Sequence, residues 1–158
     1  MIKFKKIFIL LNLFLFFFGC GYTPIFSNKK VNFSIENIEF VGDGDRGVET
    51  KIAQVLSNYK NKADNEKKIS LIITNSQETI VASKNSKGEA LTNKIIIYTK
   101  VKIILAKNNF FEKSFNKSST YSVVNRKSEE KLIKNKLIEN LSNEIAQQII
   151  FTILEKTR

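Results

Sequence analysis

Apolar residues recur at every second position in some stretches of the chain and at helical spacing in others, with short polar breaks between them. Val31, Phe33 and Ile35 alternate with polar residues, and Ile38 and Phe40 resume the alternation after a slip, which predicts a strand with an irregularity. The glycines and aspartates of residues 42–47 end it. Val48, Ile52, Val55, Leu56 and Tyr59 then lie on one face of a helix of about three turns. Asp45 is placed to cap that helix, and Glu49 suits the positive end of its dipole. Residues 58–68 read as a polar connector. Ile69, Leu71 and Ile73 alternate again and, with residues 79–82, predict a second strand. A turn over residues 83–89 carries Lys84, Lys87 and Gly88 and leads to a third strand at 91–106. There Ile95, Ile97, Val101, Ile103 and Leu105 share one face, while Lys100 and Lys102 mark the other. A tight turn at 107–109 opens a fourth strand, in which Phe111, Phe115, Tyr121 and Val123 recur at even spacings. Ser128, followed by Glu129 and Glu130, is the expected start of a final helix of about 27 residues, near 40 Å long. Its stripe runs through Leu132, Ile133, Leu137, Ile138, Leu141, Ile145, Ile149, Ile150 and Ile153.

Three strands joined by short turns pair antiparallel, and two one-sided helices need one sheet face to cover. The expected fold is therefore α+β: a two-layer sandwich with two helices packed on one face of a four-stranded, mainly antiparallel sheet, filling residues 31–158 as a single domain. The third strand is apolar on both faces at residues 95–98 and 103–105, more than a half-solvated sheet needs. That excess implies either a docking surface or burial under loops.

The front of the chain has a different organisation. Lys3, Lys5 and Lys6 precede an apolar run at residues 7–18 that only Asn12 interrupts, and Gly19 and Cys20 follow. As a helix such a run reaches roughly 18 Å, short of the ~30 Å hydrocarbon core, so it reads as a signal peptide rather than a permanent span. Phe17-Phe18-Gly19-Cys20 resembles the lipobox of bacterial lipoproteins, with Phe17 where Leu is usual. Residues 1–19 are then the signal peptide, Cys20 the lipid-attachment residue carrying diacylglycerol and fatty-acyl (palmitate-type) chains, and residues 20–30 a lipidated tether. Gly21 follows Cys20 where an Asp would favour inner-membrane retention in enteric bacteria, so the outer membrane is the expected location.

Charge and missing residue types narrow the function. The chain carries a net +11, and removal of the three leading lysines leaves 23 basic against 15 acidic residues, or +8. Such a balance favours acidic lipid head groups or an acidic protein, and export disfavours nucleic acid. There is no histidine, and the single cysteine is expected to be acylated, so no catalytic Ser-His or Cys-His arrangement, no metal site and no cofactor beyond the covalent lipid is expected. Asp43, Asp45 and Glu49 lack calcium-loop spacing and read as a turn. No Gly-rich phosphate loop occurs. We expect no enzyme.

The start Gly19-Cys20-Gly21-Tyr22, the order of elements and the long final helix together resemble the LPS-assembly lipoprotein (LptE) family. The resemblance covers nearly the whole mature chain and rests on order and length rather than on a long signature. It implies a non-catalytic outer-membrane lipoprotein that plugs an LptD-like β-barrel of the lipopolysaccharide translocon, helps that barrel assemble and contacts lipopolysaccharide on its way to the outer leaflet. The protein would then sit on the periplasmic side or inside the barrel lumen. By position the resemblance points to Lys84 or Lys87 in the hairpin, and to Arg126 or Lys127 before the last helix, as lipopolysaccharide contacts. Two other readings remain: a stand-alone surface lipoprotein binding an anionic ligand or acidic protein, and an adaptor held in the inner membrane by an uncleaved signal.

Overall fold

The slip after Ile35 is a bulge. In the computed structural model, which describes residues 31–60, 67–106 and 109–157, β1 (Phe33–Phe40) loses one residue of register between Ile35 and Asn37. The shift returns Ile38 and Phe40 to the face that Phe33 and Ile35 occupy, so the irregular sequence still packs one side of the strand. The signal peptide, the tether and Cys20 lie outside the described residues.

β1 is followed by α1 (Arg46–Ser57), β2 (Lys67–Lys84), β3 (Ala90–Ala106), β4 (Asn109–Ser122) and α2 (Lys127–Thr157). The sheet order is β1-β2-β3-β4, with β1 parallel to β2 and the other neighbours antiparallel. The parallel pair follows from its connection: α1 carries the chain back along the sheet, so β2 starts at the same end as β1. The core joins Phe33 and Ile35 of β1 to Val48, Ile52 and Leu56 of α1. It continues through Ile69, Leu71 and Ile73, then Ile95, Ile97, Val101 and Ile103, and closes on Ile145, Ile149 and Ile153 of α2. Each such side chain contributes roughly 1.5–3 kcal/mol on burial.

Local chemistry sets the element ends. Asp45 caps α1, its side chain accepting from the N–H of Gly47 at 2.9 Å and of Val48 at 3.1 Å. At the start of α2 the sequence expectation shifts by one residue. Lys127 is already helical and Arg126 C=O accepts from Glu130 N–H at 3.0 Å, so Ser128 sits inside the first turn instead of opening it. Leu132 leaves the expected stripe and is 70% exposed. It stands nine positions before the buried Leu141, which at about 100° per residue is the opposite side of the helix. Val123 falls just past β4 and is exposed as well. Lys67 and Lys68, expected in the connector, begin β2.

Asn75 is the polar pivot of this fold. Only 5% exposed, it accepts from Asp45 N–H at 3.0 Å and donates to Glu49 Oε1 at 3.1 Å, tying the cap of α1 to β2. A Cβ on Gly44 would run into that amide and the Glu49 carboxylate. Asn75→Ala leaves the Asp45 N–H and the Glu49 carboxylate without this partner. We expect the domain to lose about 1–3 kcal/mol in urea unfolding, with Asn75→Asp no better because it replaces a donor beside Glu49 by a second anion.

Candidate functional site

Two of the predicted cations sit on a turn the sequence builds locally. Gly88 adopts φ 83°, and the Asn85 side chain organises the turn. Its Oδ1 accepts from Lys87 N–H at 2.9 Å and Glu89 N–H at 3.0 Å, and its Nδ2 donates to Glu89 Oε2 at 2.7 Å. Lys84 is the last residue of β2, opposite Ala90. The long hairpin thus holds Lys84 and Lys87 at its end.

The structure brings the other pair to the same end of the sheet. Val123 N–H donates to Leu91 C=O at 2.9 Å, so the chain leaving β4 is stitched to the start of β3, and Arg126 and Lys127 follow within a few residues. Lys84, Lys87, Arg126 and Lys127 are all exposed, and none forms an ion pair with a described residue. Four cations outside any ion pair among the described residues therefore mark the tip opposite the end where Phe33 and Lys67 pair.

Next to this tip lies a cleft of about 490 Å³ that the sequence did not reveal. It opens between the start of α1 and the first half of α2, and its lining includes Lys51, Gln77, Lys131, Lys134 and Glu139. Lys131 and Lys134 are one helical turn apart, a visible signal, but Lys51 and Gln77 join them only through tertiary packing. Lys51 Nζ reaches Glu139 Oε1 at 3.3 Å, and Lys136 Nζ reaches the other carboxylate oxygen at 3.3 Å. Hydrogen bonding from Lys51, then from Lys136, holds the Glu139 carboxyl below the usual range.

A carboxyl depressed in the folded state contributes stability that is present above its unfolded value, 4.5, and lost as pH falls through the lower folded value. The gap in melting temperature between the parent protein and Glu139→Gln should therefore be open at neutral pH and close on acidification below 4.5. A gap unchanged at low pH would contradict the pairing.

The outer face of the sheet is the second surface. Tyr98 and Phe110 are exposed there at 41% and 53%, Ile96 and Ile104 are half-buried, and Lys102 Nζ lies 4.0 Å from the Phe110 ring centre. The excess of apolar residues on β3 is partly screened by neighbouring side chains, not by an overlying helix: both helices pack on the other face. Among the described residues no helix is long and apolar enough to cross a membrane.

No protein-family model matches the chain, and no curated protein sequence is significantly similar to it. Solved structures do share its fold. Rare lipoprotein B of Shewanella oneidensis matches with a TM-score of 0.57 at 14% identity, over 79% of this chain and 100% of that one. A minor lipoprotein of Acinetobacter baumannii matches with a TM-score of 0.57 at 16% identity, over 78% of this chain and 92% of that one. Lipoprotein B of Nitrosomonas europaea gives 0.57 at 14% identity, over 80% and 88%. At these identities the likeness establishes the arrangement of helices and strands and nothing finer.

Proposed function

We propose that this chain is an outer-membrane lipoprotein, anchored through acylated Cys20, that plugs and helps assemble the β-barrel of the lipopolysaccharide translocon and contacts lipopolysaccharide during insertion. The observation that carries the reading is the convergence of Lys84, Lys87, Arg126 and Lys127 at one end of a fold shared with lipoproteins B. Phosphates and acidic sugars are paired well by such exposed ammonium and guanidinium groups. The rest of the molecule serves as a carrier. A tether of about ten residues links the acyl chains to the sandwich, and the role needs no catalytic group.

Replacing all four cations by Gln should weaken binding of purified lipopolysaccharide at least about tenfold at fixed salt, given roughly 1 kcal/mol per basic residue near an anionic lipid surface. The melting temperature should stay unchanged, because none of the four is buried. Binding that is unaltered in the quadruple variant would overturn the assignment of this tip. The barrel role is tested separately by isolating the protein from detergent-solubilised envelope. A stoichiometric large β-barrel in the complex supports it, and a stable solitary monomer favours the stand-alone lipoprotein instead.

A further inference from the structure

β2 is longer than its partner. β1 pairs with it only as far as Ile73, where Val41 N–H donates to Ile73 C=O at 2.9 Å and the chain turns away. Backbone groups along a strand alternate sides, so the N–H and C=O of Gln77, Thr79 and Val81 face the row that β1 has vacated, while intervening residues bond to β3. No described backbone group fills that row. Ile80 and Val81 are 45% and 48% exposed beside it, and between Gln77 and Ser83 the only charge is Glu78. β4, the other edge, carries Lys113 and Lys117 instead. An open edge of this kind, unguarded by lysine or proline, is a template for strand addition.

The charge beside this edge selects the occupant. Gln77 belongs both to the edge and to the cleft between α1 and α2, so a strand lying in the vacated row points every second side chain toward that cleft. There Glu139 is taken by Lys51 and Lys136, and Asp45 Oδ1 by two N–H groups, leaving Lys131 and Lys134 without an ion-pair partner among the described residues. Gln77 Oε1 is buried with no hydrogen-bond donor, and an added strand brings N–H donors alongside it. A second copy of this chain, pairing edge to edge, would offer the cleft only Gln77, Thr79 and Val81 and no carboxylate.

We propose that the edge of β2 from Gln77 to Val81 is a docking site for an extended segment of a partner protein, which adds as a further strand and sets an acidic side chain against Lys131 and Lys134. This goes beyond the lipopolysaccharide role and stands or falls without it, since none of the four tip cations takes part.

The test uses the full chain in mild detergent with the peptide Ac-Thr-Val-Glu-Val-Thr-Val-Glu-Val-NH2 and its counterpart bearing Lys for Glu. We expect saturable binding of the acidic peptide, slowed amide exchange at Gln77, Thr79 and Val81, and at least about tenfold weaker binding of the lysine peptide. Thr79→Pro removes an outward N–H that the sheet does not use, so the fold is retained and binding is lost. Lys131→Glu with Lys134→Glu, at one exposed and one half-buried position lining the cleft, should reverse the peptide preference, and it carries the test should the proline variant melt early. Equal binding of both peptides, or binding that survives Thr79→Pro in a folded protein, would overturn the proposal. So would protection of the same amides by concentration-dependent self-association of the peptide-free chain.

Discussion

Phe33→Ala should cost about 3–5 kcal/mol, a large part of the 5–15 kcal/mol that holds a domain of this kind together. Phe33 is fully buried in β1, and its ring stacks on Tyr59 with centroids 5.7 Å apart and planes 14° from parallel. The surrounding backbone is tied down: Ile35 N–H donates to Tyr59 C=O at 2.9 Å, and β1 is locked to β2 by the parallel ladder. A cavity here cannot collapse without breaking those bonds, so the transfer loss and the cavity term add. Tyr59→Ala should cost less, because its ring is only partly buried. Urea unfolding measures both, with the midpoint moving and the slope unchanged. A Phe33→Ala loss under about 1 kcal/mol would mean that this corner of the sandwich is not packed as described.

Cys20→Ala should abolish incorporation of labelled fatty acid completely and leave a heavier precursor that retains its first 19 residues. On the lipoprotein reading the Cys20 thiol would be the nucleophile that accepts the diacylglyceryl group, and the sequence holds no other cysteine to replace it. A buried acyl chain contributes about 0.8 kcal/mol per methylene, one chain holds a protein only marginally, and two or three hold it firmly. The variant is therefore left with the short apolar run at residues 7–18 in place of its anchor. Mass spectrometry of the mature N-terminus gives the complementary result. An acylated Cys20 fits the lipoprotein reading, and an intact Met1 in the parent protein would replace it with the inner-membrane adaptor.

Much of the architecture was written in periodicity. The alternations at Phe33–Ile35, Ile69–Ile73 and Ile95–Ile103 named the strands and their buried face, because a strand with one face on helices must repeat every second residue. The helical spacing of Val48, Ile52 and Leu56, with Asp45 ahead of it, named α1 and its cap. Misplacements occurred where local pattern is ambiguous. Leu132 looks like part of a stripe until the rotation of α2 is set by Leu141 and Ile145, and Ser128 is a good cap residue at a place where the helix has already begun.

The candidate surfaces divide in the same way. Lys84, Lys87, Arg126 and Lys127 stand out by position along the chain, since turns and helix starts are legible locally. Their presence at one end of the sheet depends on the β3–β4 pairing and the Val123–Leu91 hydrogen bond. Lys51, Gln77, Lys131 and Lys134 could not be grouped from sequence, because nothing local relates residues so far apart. The same holds for the open edge of β2, which exists because β1 ends about ten residues earlier than its neighbour. The sequence determined the order and kind of the elements and most of the inward-facing residues, since burial imposes a local period on the chain, while Leu132 and Val123 escaped that period. The parallel placement of β1 beside β2, the row of backbone groups left open and the charges that meet came from the folded molecule, since they depend on contacts between segments that share no local pattern.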